Sequence, residues 1–153
     1  MARKFTTNSR LVNELFASYS NTFLALCELI NNSIQAGAKH MYIDIDYSEE
    51  EIFSSRIINS LSIKDDGCGV HIDEIEYKLL DIGTTNKSGG KGVGRFGAFQ
   101  LGKSVMIHTI GYSKEKEQYS EAIIPLDVSV FEKNINVTEI PINTQEKVLD
   151  GKK

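Results

Sequence analysis

The stretch NTFLALCELINNSIQAGAKHMYIDIDY, residues 21–47, changes its period partway along. From Asn21 to Ala36 the apolar residues Phe23, Cys27, Ile30 and Ile34 recur at steps of three and four, which puts them on one stripe of an amphipathic helix. Gly37 stands where that helix would end. From His40 to Tyr47, Met41, Ile43 and Ile45 alternate with Tyr42, Asp44 and Asp46, the period of a half-buried strand. A helix therefore feeds a strand, and the rest of the chain has to supply the sheet that both pack on.

Downstream, IINSLSI at 57–63 reads as a second strand that runs into the turn sequence KDDGCG, and a short helix is expected over Asp73 to Leu80. Residues 83–94 hold five glycines among Thr, Asn, Ser and Lys, a composition too polar and flexible for regular structure, and read as a mobile loop. Ser104 to Gly111 alternates again and predicts a strand. Two more are expected near Tyr119 to Leu126 and Asn136 to Ile142, with Pro125 and Pro141 favouring edges or strand ends. The order predicts an α/β (α+β) two-layer sandwich, its mixed, mostly antiparallel sheet covered on one face by helices. The tail from Glu146 to Lys153 shows no capping element, so the chain reads as the N-terminal part of something longer.

Composition narrows the function classes. With 153 residues, 41% of them hydrophobic, the chain can bury one sizeable core, and 1–153 reads as a single domain. A net charge of -4 gives no general attraction to nucleic acid or anionic membranes, so an anionic ligand needs a local site. Cys27 and Cys68 have no disulfide-framework spacing. The N-terminus lacks the apolar core of a signal peptide and no apolar run reaches about 18 residues, so a cytoplasmic, membrane-free protein is expected.

Three places carry chemistry. Opposite the apolar stripe, the helix projects Glu28, Asn31, Asn32 and Gln35, one acid and three amides with no Lys or Arg. Its ordinary reading is a solvated face, yet carboxylate and amide oxygens four residues apart can also face a hydrated Mg²⁺. Asp65 ends a strand and is followed by Gly67 and Gly69. That is a tight turn at its plainest, or a carboxylate placed to accept from an adenine amine while the glycines let the base approach. The third place is Gly89 to Gly97. It contains G-x-G-x-x-G at 92, 94 and 97 but follows no strand, so the dinucleotide fingerprint lacks its context. Gly97 to Ser104 spells the P-loop pattern with a strand expected downstream, where a P-loop needs a helix. Glycine-rich backbone leading into a short helix can still offer N–H groups to a polyphosphate.

The run Glu28-Leu29-Ile30-Asn31-Asn32-Ser33-Ile34-Gln35-Ala36-Gly37-Ala38 resembles the first ATP-binding motif of the GHKL superfamily (gyrase, Hsp90, histidine kinase, MutL), and most resembles its MutL and MORC-like versions. Asp65-Asp66-Gly67-Cys68-Gly69 and the glycine-rich 89–97 segment resemble the second and third motifs, in the same order. The resemblance implies a Bergerat-type fold binding ATP and Mg²⁺. It makes Glu28 the general base, Asn32 the Mg²⁺ ligand, Asp65 the adenine-reading acid, and Gly67 and Gly69 the glycines beside the base. It assigns 83–94 to an ATP lid and places Thr84, Thr85, Lys87, Gly90, Lys91, Gly92, Val93, Gly94, Arg95, Phe96 and Gly97 about the phosphates. The family usually has Asp where this chain has Gln35, so Gln35 inherits no role, and Asp66 falls at a variable position. The late strand that carries an adenine-contacting threonine in relatives is not evident in this sequence, and Thr109 and Thr138 are the two candidates for its role.

The implied function is slow ATP hydrolysis coupled to lid closure and homodimerisation through residues 1–20; the alternative is a non-hydrolysing nucleotide switch acting through a partner. A protein or DNA partner would come through downstream domains. His40, His71, His108, Asp44 and Asp46 have no metal-ligand spacing and are expected to be structural or surface residues.

Overall fold

A computed structural model of the chain describes residues 2–4, 21–50, 55–80, 97–127 and 141–150. Helix α1 spans Thr22–Gln35. The Asn21 side chain caps it by accepting the Phe23 N–H at 2.8 Å, which satisfies a donor that the first turn leaves unpaired. At the other end Gly37, at φ +73°, donates to the Ile34 carbonyl at 3.0 Å and Ala38 donates to that of Ser33 at 3.1 Å. A left-handed residue closes the helix in this way, and glycine adopts that conformation without steric cost.

Strands β2 (Met41–Glu50) and β3 (Ser55–Asp65) form an antiparallel ladder; β2 runs past the expected end at Tyr47, and β3 is longer at both ends than its expected 57–63. Ile43 pairs with Ile63, Ile45 with Leu61 and, across a register shift between Asp46 and Tyr47, Tyr47 with Ile58. The alternation fixes which side chains share a face without ensuring a cover: Ile45 stays 48% exposed and Phe23, on the apolar stripe of α1, 66%.

The core lies elsewhere. Strands β4 (Ser104–Ser113), β5 (Gln118–Asp127) and β7 (Gln145–Leu149) make an antiparallel sheet in the order β4-β5-β7. Alternate residues Ser120, Ala122, Ile124 and Leu126 of β5 are buried, and the rest of the buried apolar set includes Ile75, Leu80 and Ile142. Ile75 and Leu80 belong to the segment expected as one short helix over 73–80. It folds instead as a 3₁₀ turn, Ile72–Glu74, followed by a wide π turn, Glu76–Leu80. The buried Ser120 hydroxyl accepts the Ile72 N–H at 2.9 Å and seats this segment on β5. Pro125 lies beyond Ile123, the last β5 residue that β7 partners, so among the described residues the proline falls where β5 has no ladder neighbour on that side.

A two-stranded sheet of β1 (Ala2–Arg3) and β6 (Ile142–Asn143) closes the structure. Arg3 donates from Nε to Glu146 Oε1 at 2.6 Å, and from Nη2 both to Glu146 Oε2 at 2.9 Å and to the Ile72 carbonyl at 2.8 Å. Thr144 donates its hydroxyl to the same Glu146 carboxylate. With both side chains about a tenth exposed, this bidentate pair joins the first strand, the last strand and the 72–80 segment. An open pair such as Arg56 with Glu49, 3.7 Å apart and about two-thirds exposed, contributes roughly 0–1 kcal/mol at most.

The architecture is thus the expected α+β class, few helices with antiparallel sheets. Among the described residues every strand pairing is antiparallel, so the parallel component of the expected mixed sheet is not found there. The strand expected over 136–142 lies outside the described residues apart from its end, where β6 begins directly after Pro141. Strand β7, inside the uncapped tail, was not expected at all. Its QEKVL sequence has little apolar content, and the Lys147 Nζ contact with Glu121 Oε2 at 2.6 Å across the β5–β7 pairing is visible only after folding.

Candidate functional site

One face of α1 meets two other parts of the chain. Near its start, Gly97 lies so close that a Cβ there would be 2.9 Å from the Ala25 carbonyl oxygen and 3.3 Å from its Cα. Near its end, the Cys68 N–H donates to the Ala36 carbonyl at 2.9 Å, and a Cβ on Gly67 would come within 2.7 Å of the Ala36 Cβ. At 100° per residue, Ala25, Glu28, Asn32, Ser33 and Ala36 share this face. Ala25 and Ser33 are buried, and Glu28 and Asn32 are half-buried between the two contacts. Asn31 and Gln35 are exposed, so the polar quartet projected from the sequence divides: only Glu28 and Asn32 face the glycine-bearing segments.

Asp65, the last residue of β3, is tied to this helix. Its Oδ2 accepts the Ser33 hydroxyl at 2.8 Å and its Oδ1 accepts the Gly67 N–H at 2.9 Å. The residue is otherwise exposed, which leaves lone pairs on both oxygens for a ligand. Ser33 was missed in the sequence, where one hydroxyl among amides on a helix looks like a surface residue.

Asp66, left without a role by the sequence reading, clamps the α1–β2 connection. Its Oδ1 accepts the Lys39 and His40 N–H groups at 2.7 and 2.9 Å, and its Oδ2 lies 2.8 Å from His40 Nδ1. The His40 backbone N–H, then its ring, then the Lys39 N–H hold this carboxyl far below the ordinary aspartate value of 3.8. A depressed folded-state pKa adds stability that is fully present above the unfolded value near 4 and is lost as pH falls below it. The melting temperature of wild type should therefore exceed that of Asp66→Asn near pH 6, with the gap narrowing below about pH 4. Thermal melts of both proteins across that range check this, and parallel curves would remove Asp66 as the clamp.

The segment after Asp65 interlocks with β4. Gly69 sits at φ +61° with its absent Cβ directed 1.9 Å from the Ile110 carbonyl oxygen, and a Cβ on Gly111 would fall 2.2 Å from the Val70 carbonyl carbon and the His71 nitrogen. Between them the Thr109 hydroxyl accepts the Val70 N–H at 2.8 Å. Of the two threonines considered for adenine, Thr109 is thus engaged in holding this loop, and Thr138 lies outside the described residues.

Each of the three histidines lies within hydrogen-bond distance of a partner. His40 pairs with Asp66, buried His71 accepts the Asp73 N–H at 3.3 Å to cap the 3₁₀ turn, and His108 lies 2.7 Å from Glu121. No group of three or more His, Cys, Asp or Glu is placed to hold a metal among the described residues, and both cysteines are free thiols. Thr84, Thr85, Lys87 and Gly90 through Phe96 lie outside the described residues, as does the lid range 83–94. Gly97 is described and packs against Ala25. The short helix α2 (Ala98–Leu101) follows it, and β4 begins at Ser104, so the P-loop pattern at 97–104 runs from helix to strand, the reverse of a P-loop.

A strand-end carboxylate is thus bonded to a helix that carries an acid and an amide, in an α+β fold with antiparallel sheets. Residues 19–152 match the histidine kinase-, DNA gyrase B-, and HSP90-like ATPase family, and the chain belongs to it. No curated protein matches the chain. Among the described residues no helix is long and apolar enough to cross a membrane.

Proposed function

We propose that this chain binds Mg-ATP along the face of α1 between Ala25 and Ala36 and hydrolyses it slowly. The observation that carries the reading is the Asp65 carboxylate, fixed by Ser33 and Gly67 beside the helix face that bears Glu28 and Asn32. Family membership supplies the ATP-binding class, and these residues supply the roles.

Asp65 accepts from the adenine amine, and Gly67 and Gly69 leave room for the base. Glu28 orients the attacking water and takes its proton. Asn32, one helical turn further on, offers its amide oxygen to Mg²⁺. The oxygen donors at this face suit an ion that keeps several waters and takes phosphate oxygens, so a three-carboxylate cage is not required. When bound, Mg²⁺ neutralises charge on the phosphates. The remaining work is positioning and electrostatics.

The lid at 83–94, with Thr84, Thr85, Lys87 and Gly90 to Gly97 around the phosphates, belongs to this reading, as do closure on ATP and dimerisation through residues 1–20. The motif spacing from Glu28 to Ala38 favours a MutL or MORC-like member, working in the cytoplasm, with protein or DNA partners reached through further domains.

Calorimetric titration with a non-hydrolysable ATP analogue and Mg²⁺ tests the site. Wild type should bind saturably, and Asp65→Asn should bind about ten- to a hundredfold more weakly, the range for losing a hydrogen bond to a charged group. Equal binding by the variant would move the base away from Asp65, and no binding by wild type would remove the proposed site.

A further inference from the structure

We infer that Ser33 is a positioning residue for base selection: its buried hydroxyl sets the plane of the Asp65 carboxylate and so makes the site specific for a purine with a 6-amino group. This rests on the reading of Asp65 as the base-recognising acid.

Ser33 is 3% exposed, and its hydroxyl donates to Asp65 Oδ2 at 2.8 Å. The second fixed donor, the Gly67 N–H at 2.9 Å from Oδ1, comes from only two residues further along the same loop. Rotation about the bond to an aspartate carboxylate is soft and roughly two-fold, so one local donor leaves the plane of the group free to swing. A second donor from a separate, rigid element removes that freedom. Each oxygen then keeps its remaining lone pair in a fixed direction, and an ionised carboxylate can only accept. It matches a 6-amino group and opposes a 6-keto group. Because the Ser33 proton is already given to Asp65, the pair offers no donor that could satisfy a keto oxygen. Ser33 also follows Asn32 directly, so the group that fixes the base reader and the proposed Mg²⁺ ligand ride on one helix.

A simple staple between helix and loop would use the same hydrogen bond, and the experiment must separate the two. Wild type, Ser33→Ala, Ser33→Cys, Ser33→Thr and Asp65→Asn are titrated with ADP and with purine riboside 5′-diphosphate, which lacks the 6-amino group, both with Mg²⁺. Thermal melts establish that each variant is folded. Wild type should prefer ADP by about tenfold, the worth of one such hydrogen bond. Ser33→Ala should lose about tenfold in ADP affinity while binding purine riboside 5′-diphosphate within about twofold of wild type, so the preference collapses.

Ser33→Cys keeps the shape and weakens the donor, giving an intermediate preference, and Ser33→Thr restores it. If Ser33→Ala weakens both ligands alike, or if Ser33→Ala or Ser33→Cys keeps the full preference, the inference fails. Should Asp65→Asn lose the preference while the Ser33 variants keep it, only the inference falls. Should Asp65→Asn keep it, or wild type bind neither ligand, the Asp65 reading falls and takes the inference with it.

Discussion

Glu28→Ala is expected to lower ATP turnover by about a hundredfold or more while changing affinity for a Mg-ATP analogue by no more than about threefold. The expectation comes from where Glu28 sits. It is half-buried on the α1 face that meets Gly97 at one end and the Gly67–Cys68 loop at the other. Among the described residues its carboxylate makes no hydrogen bond or ion pair, whereas Asp65, Asp66 and Glu146 are all engaged in holding structure. Removing it should therefore leave the fold intact and delete only what it does to water. General-base contributions are typically about 10²–10⁴-fold, which sets the size of the loss. Steady-state hydrolysis alongside analogue binding measures both halves. Full turnover in the variant would end the base assignment, and lost binding with it would move Glu28 from chemistry to nucleotide capture. A wild type that binds tightly without turnover would favour the nucleotide switch over the ATPase.

What could be read in advance depended on how far apart in the chain the cooperating atoms are. The end of α1 was legible because its stop is local: Gly37 donates to Ile34 and Ala38 to Ser33, the residues just before them. The periods of β2 and β4 were legible for the same reason. Ser33 was not, because its partner Asp65 is 32 residues away and nothing local distinguishes a buried hydroxyl from a solvated one. Asp66 was hidden similarly, since the N–H groups it accepts from precede it by 26 and 27 residues. The site motifs were visible as residue types at set spacings. The division of the α1 polar face, Glu28 and Asn32 inward with Asn31 and Gln35 outward, required knowing where Ala25 and Ala36 make contact. Strand β7 escaped because an edge strand with charged cross-strand partners carries almost no apolar signal.

Gly69→Ala is expected to destabilise the protein by about 3 kcal/mol or more, a fall in melting temperature on the order of 10 °C for a chain of this size. Gly37→Ala serves as the contrast. Both glycines lie in the left-handed region, at φ +61° for Gly69 and φ +73° for Gly37. The conformational penalty for alanine is therefore alike, about 1–2 kcal/mol. The surroundings differ: a Cβ on Gly37 meets nothing within 4 Å, whereas one on Gly69 would lie 1.9 Å from the Ile110 carbonyl oxygen. That oxygen belongs to a strand residue whose ladder partner is Glu121, so it cannot recede without pulling β4 from β5. The loop cannot recede either, because the Val70 N–H is held by Thr109 and the Val70–His71 backbone fills the space beside Gly111. Gly37→Ala should then cost only the conformational part, and the difference between the two variants isolates the clash. Thermal melts of both variants with wild type decide it: comparable losses would mean that the loop after Asp65 is not seated on β4, and the rigidity required of Asp65 as a base reader would have to come from Ser33 and Gly67 alone.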